Sequence, residues 1–179
     1  GMAGGAIATY RNGVGALMFR DCVFAGNETL VGHGGAISDY AALNLKITNS
    51  VFSGNKALKT GGAIYSQSSA AHLEVVNSTF AGNKAGGDGR AIRIGHNNVS
   101  TIVNNVCDGN VGADEDTATI AGLNSDDTVN NLFNNNPANG DPETSFEGDP
   151  NFATAPSGIW SSVSSSAKTS TLTVSNAAF

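Results

Sequence analysis

The sequence predicts an all-β fold: a parallel β-helix of about five coils over residues 1–136, followed by a C-terminal loop and strand cap over 137–179. Three observations carry that prediction. Two short motifs recur together at one period, the residues ahead of one of them alternate apolar and polar, and the composition suits stacked strands better than helices.

The first motif reads FAGN at Phe24, FSGN at Phe52, FAGN at Phe80, CDGN at Cys107 and FNNN at Phe133, in steps of 28, 28, 27 and 26 residues. The second reads GGAI at Gly4, Gly34 and Gly61 and GRAI at Gly89, in steps of 30, 27 and 28. Two markers keeping one period of this size signal a solenoid, a propeller or an array.

Leu45, Lys46, Ile47 and Thr48 alternate, as do Leu73, Glu74, Val75 and Val76, which is the period of a strand with one buried face. A unit of about 27 residues without a helical segment cannot bury its own apolar side, so neighbouring units must stack. Stacked coils stand about 4.8 Å apart, which lines equivalent positions into vertical columns. Phe24, Phe52, Phe80, Cys107 and Phe133 are then an interior column, and Phe19, Ile47, Val75, Ile102 and Thr128 another. Asp21, Asn49, Asn77, Asn104 and Asn130 are expected as a buried polar column at one bend, and Asn27, Asn55, Asn83, Asn110 and Asn136 at the next. Stacked amides there would hydrogen-bond from coil to coil. The double glycine fits a sharp corner that needs positive φ.

Composition agrees. The chain has 23 glycines and only 13 % charged residues, against about 25 % in ordinary globular chains. The net charge of −6 and the scattered nine Lys and Arg argue against nucleic acid as a partner. No secretory leader is legible, and Gly1-Met2 reads as a cloning scar, so the chain is expected to be a fragment of a longer protein.

The paired GGAI at 4, 34 and 61 and FAGN, FSGN and FAGN at 24, 52 and 80 resemble the repeats of the polymorphic outer membrane proteins of chlamydiae. More broadly they are similar to the right-handed β-helix repeats of autotransporter passengers and bacterial surface-anchored proteins. The resemblance covers about residues 4–136. It implies a single-stranded, right-handed β-helix, an extracellular or cell-surface location and, as in several such families, an adhesive role. Gly89-Arg90 and Cys107 depart from the pattern, so the fourth coil should face something different.

After Asn136 the period decays into a Pro, Gly and Asp-rich loop. GDPNF at 148–152 resembles a segment that follows the last coil in surface-anchored β-helix proteins. Phe152 and Trp160 are expected to pack over the last coil, since an open coil is an exposed edge. The first coil shows no comparable cap, so either the chain begins mid-solenoid or another molecule covers that coil in an end-to-end contact.

Candidate chemistry is sparse. Cys22 and Cys107 fall three coils apart, about 14 Å at the coil spacing and beyond the ~7 Å reach of a disulfide, so both should be free thiols. His33, His72 and His96 share no column, and the acidic runs Asp114-Glu115-Asp116 and Asp126-Asp127 lack calcium-loop spacing, so neither metal nor cofactor is expected. Lys46 and Glu74 should pair on the surface.

The strand after GGAI presents Ser38, Tyr65 and Arg93 in one column and Asp39, Ser66 and Ile94 in the next. Asp39, Tyr65 and Arg93, with Asp88, Arg90 and His96 nearby, make the candidate ligand-binding patch. The leading reading is a non-enzymatic, adhesin-like scaffold that binds a polysaccharide or a cell-surface protein along this face. The alternative is a polysaccharide lyase or glycoside hydrolase of the β-helix class, with Asp39 and Arg93 catalytic. Against it, Asp39 has no stacked acid to complete a carboxylate pair.

Overall fold

A computed structural model of the chain describes residues 4–10, 14–40, 42–67, 72–95, 99–123, 128–136, 146–149, 160–166 and 169–174. Its strands repeat in a set order. The first coil holds β1 (Ile7–Thr9), β2 (Val14–Arg20), β3 (Val23–Ala25) and β4 (Glu28–Thr29). The second holds β5 (Ile37–Asp39), β6 (Ala42–Thr48), β7 (Val51–Ser53) and β8 (Lys56–Ala57). The third holds β9 (Ile64–Ser66), β10 (His72–Val76), β11 (Thr79–Ala81) and β12 (Lys84–Ala85). The fourth has β13 (Ile92–Ile94), β14 (Val99–Val103) and β15 (Val106–Asp108), and a partial fifth has β16 (Ile120–Ala121), β17 (Thr128–Val129) and β18 (Leu132–Asn134).

Like strands stack on like. The first sheet runs β1-β5-β9-β13-β16, the second β2-β6-β10-β14-β17, and the third β3-β7-β11-β15-β18, extended by β19 (Phe146–Glu147). A short corner sheet joins β4, β8 and β12, and in the fourth coil a single Lys84–Val111 bridge replaces its strand. Every pairing among these is parallel, giving a β-solenoid of about four turns plus the partial fifth, where five coils were expected. The fifth is cut short because its strands in the first two sheets are only two residues long.

Stacking in the third sheet continues beyond Asn136 through β19. β20 (Trp160–Ser166) and β21 (Thr169–Val174) pair as an antiparallel hairpin. The expected cap contacts of Phe152 and of the Trp160 side chain lie outside the described residues.

Register makes the columns. Phe24, Phe52, Phe80, Cys107 and Phe133 pair in succession, and so do Phe19, Ile47, Val75, Ile102 and Thr128. The rings of Phe24, Phe52 and Phe80 lie nearly parallel, with centroids 4.7 and 4.9 Å apart. Each aromatic contact adds about 0.5–1.5 kcal/mol beyond the area buried. Cys22 and Cys107 are not joined by a disulfide.

The glycine pair turns out to meet two different demands. Gly34, Gly61 and Gly89 have φ of 66, 68 and 71°, which favours glycine. Gly62 instead lies so near the next coil that a Cβ would stand 2.0 Å from the Arg90 carbonyl oxygen. Arg90 occupies that second position in the fourth coil, where its side chain turns toward residues 110–117.

Polar groups inside the corners are paired in long ladders. The backbone N–H and Nδ2 of Asn55 donate to Asn83 Oδ1 at 3.0 and 2.9 Å, while Asn55 Nδ2 also donates to the Phe24 carbonyl at 2.9 Å. Asn27, Asn83 and Asn110 donate in the same way to the Asn of the following coil, ending at Asn136.

The other asparagine column is a correction. Asp21, Asn49, Asn77, Asn104 and Asn130 have φ between 51 and 57°; Asn49 is half-buried and its Nδ2 donates to Asp21 Oδ1 of the coil below at 2.5 Å, but the other four are exposed and the column is not a buried ladder. Their work is conformational, since Asn and Asp tolerate the left-handed region better than other residues with a side chain. The buried ladder at this bend belongs to the next residue along: Cys22 N–H donates to Ser50 Oγ, Ser50 N–H to Ser78 Oγ, Ser78 N–H to Asn105 Oδ1 and Asn105 N–H to Asn131 Oδ1.

Candidate functional site

Because the ladder positions are committed to holding coils together, departures from the columns are where other roles are to be sought. On the first sheet Ala8, Ser38, Tyr65, Arg93 and Ala121 form one column. The adjacent column is Thr9, Asp39, Ser66 and Ile94. Ile94 belongs to the hydrophobic core, so this second column faces inward and the first faces outward.

That alternation separates the three residues expected to act together. Asp39 is 0 % exposed, accepts a hydrogen bond from Thr9 Oγ1 at 2.5 Å and lies 3.5 Å from Ser66 Oγ, so it is not part of an exposed patch. Tyr65 and Arg93 are direct neighbours in the outward column, but Tyr65 is itself only 8 % exposed. Arg93 Nε lies 3.4 Å from Asp88 Oδ2, and its Nη1 donates to the Ile94 carbonyl. Arg90 is buried and does not join the face, and His96 lies outside the described residues.

What does cover the face is aromatic, and the sequence reading missed its extent. Tyr10 and Tyr40 follow Thr9 and Asp39, and their rings stack with centroids 6.2 Å apart. Tyr40 in turn meets Tyr65 at 5.3 Å, and the His33 ring stacks on Tyr65 at 4.4 Å. All three tyrosines of the chain therefore converge here. The signal available in sequence was that Tyr10 and Tyr40 stand at equivalent places six residues after GGAI begins. Tyr65 donates its hydroxyl hydrogen bond to Gln67 Oε1.

Burial sets the electrostatics of the cluster. It is the main cause that pushes the Tyr40 hydroxyl up to about 12, with Tyr65 adding to it, and it raises Tyr65 as well. Burial, then the Lys59 ammonium, holds the His33 imidazole below its usual 6.5. His33 Nδ1 lies 2.6 Å from Thr60 Oγ1, which fixes the ring over Tyr65. The unfolded chain thus takes up this proton before the folded one does, and stability present above pH 6.5 is lost as pH falls. The melting temperature should drop between about pH 7 and pH 5, and that slope should shrink in His33→Gln, whose side chain does not titrate. An unchanged slope would show that the proton uptake lies elsewhere.

Other candidates sit apart from this face. His72 Nε2 is 2.9 Å from Thr101 Oγ1 on the second sheet, and Lys46 pairs with Glu74 at 2.6 Å. Asp114 accepts a hydrogen bond from Thr117 Oγ1 within its own loop at 2.7 Å, and Asp126-Asp127 lie outside the described residues. Among the described residues no three His, Cys, Asp or Glu converge as a metal site.

The stretch that carries a Phe of the stack, an Asn of the ladder and the glycine pair in one run is Asn49 to Gln67. Residues 49–67 match the Chlamydia polymorphic membrane protein (Chlamydia_PMP) repeat. No curated protein and no solved structure matches the chain. The PMP repeat spans β7, β8 and β9, and strand register carries its pattern onto the coils on either side. Phe52 lies in the ring stack, Asn55 in the amide ladder, Gly61 in the positive-φ turn and Gly62 at the close approach. These four residues of the matched stretch thus have architectural roles.

Proposed function

We propose that this chain is part of a surface-displayed, non-enzymatic β-solenoid that binds glycan through the outer face of its first sheet. The observation that carries the reading is the division of labour between columns. Phe52, Asn55, Gly61 and Gly62 of the PMP repeat are occupied with stacking and turning, while residues that change from coil to coil, Tyr65 within the matched stretch and Tyr10, Tyr40, Arg93 and His33 outside it, gather on one outward face. The match to a membrane-protein repeat supports a location at the outer membrane or cell surface. Solenoids offer long, regular faces suited to binding.

The lyase or hydrolase alternative loses its support at Asp39. A general base must reach substrate, and this carboxylate points into the solenoid beside two hydroxyl groups. The test is to incubate the purified chain with acidic and neutral polysaccharides, following unsaturated products and new reducing ends while recording binding. Binding without turnover is expected. Turnover abolished by Arg93→Ala would replace this reading with an enzymatic one.

A further inference from the structure

We propose that Tyr10, Tyr40, Tyr65 and His33 form a subsite for a neutral hexopyranose unit, an inference that rests on the glycan-binding reading above. Where an aromatic column serves stacking, as with Phe24, Phe52 and Phe80, the ring recurs coil after coil. Here it does not. The Tyr10 and Tyr40 positions become Gln67 and Gly95 in the next coils, and the Tyr65 position is Ala8 and Ser38 below and Arg93 above. The solenoid therefore builds the same corner without these rings, yet four of them touch in series across the first coils.

Tyr10 keeps 48 % of its surface in water, and Tyr40 is half-buried beside it. Tyrosine combines an apolar ring with a hydroxyl, which suits the alternating C–H and O–H surfaces of a sugar.

A second observation points the same way. Ser38 lies in the outward column below Tyr65, wholly buried, with the Tyr40 hydroxyl turned toward its Oγ. A sugar hydroxyl beside Tyr40 would find in this pair of hydroxyls both a donor and an acceptor. Around it the Arg93 guanidinium is already paired with the Asp88 carboxylate, and the Lys59 ammonium acts on His33. An arginine already held by a carboxylate has less to offer a uronate, which favours an uncharged saccharide.

The chain has three tyrosines, so labelling them with ¹³C gives a simple ring spectrum in which to follow titration by cellohexaose, maltohexaose or chitohexaose, with oligogalacturonate as the acidic counterpart. One neutral series should move the Tyr10 and Tyr40 signals, and Tyr10→Ala and Tyr40→Ala should each weaken binding about tenfold. Met18→Ala, an exposed change on the second sheet, should leave binding unaltered. Binding that moves no tyrosine signal and survives both tyrosine changes would overturn the subsite while leaving glycan binding intact. Preference for oligogalacturonate would overturn the neutral class. Absence of binding to every saccharide would overturn both this inference and the reading on which it rests.

Discussion

Replacing Arg90 by alanine is expected to cost about 2–4 kcal/mol of stability, a large share of the ~5–15 kcal/mol that holds a typical domain folded. The side chain is 2 % exposed, and its guanidinium is held entirely by carbonyl oxygens in the bonds the structure shows. Nε donates to Thr117 O at 2.5 Å and Nη2 to Asp114 O and Glu115 O at 2.6 and 2.9 Å, with Asn110 O 3.5 Å from Nη1. One side chain in the fourth coil thereby fixes the acidic loop that leads into the fifth. Alanine leaves a cavity and strips those carbonyls of their donor, though water can reach the exposed Asp114 and Glu115. Lysine should rescue little, because a point charge cannot serve carbonyls on several sides as a planar fork does. Urea denaturation of Arg90→Ala and Arg90→Lys beside the parent checks this. Equal midpoints would mean that the loop holds its place without the pin.

Asn83→Ala should be at least as damaging, by about 3–5 kcal/mol, because a single amide serves three coils. Asn83 Oδ1 accepts from the N–H and Nδ2 of Asn55, and its own Nδ2 donates to Phe52 O and Asn110 Oδ1 at 3.0 and 2.9 Å. Every one of these groups is buried, so water cannot take over without opening the corner. Asn83→Asp should not restore the ladder, since a carboxylate has nothing to donate to Phe52 O. Asn77→Ala is the informative contrast. Asn77 is exposed with φ of 53°, so alanine there should cost only about 1 kcal/mol of backbone strain, and Asn77→Gly should cost less still. Comparable losses at Asn83 and Asn77 would contradict the assignment of the buried ladder.

These two asparagines also mark what could be read from sequence. The period gave the solenoid, because identical side chains one coil apart have a simple geometric meaning, and the Phe and Asn55–Asn83 columns followed from counting. The bend after β6 did not yield to counting. In Asn49-Ser50 and Asn77-Ser78 either residue can enter a corner, and the positive φ at the first breaks the strand alternation that would have decided between them. Asp39 was misplaced for a different reason. Polar Asp39 and Ser66 looked like surface, while Ile94, the apolar member of their column, marked the inward direction. Arg90 was visible only as a departure from GGAI, since its carbonyl acceptors lie 20 to 27 residues ahead in a loop without a motif.

The amide ladder has a direction. Asn27, Asn55, Asn83 and Asn110 each donate toward the following coil, so the acceptor that completes one turn arrives with the next stretch of chain. Under tension applied at the two ends, such a stack resists through its coil-to-coil contacts and not through one central core. It would lengthen in discrete jumps, each freeing a repeat of about 27 residues and roughly 90 Å of extended chain. A filament of this kind dissipates a pull in instalments, and a coil that has let go can rewind on its neighbour when the load is removed.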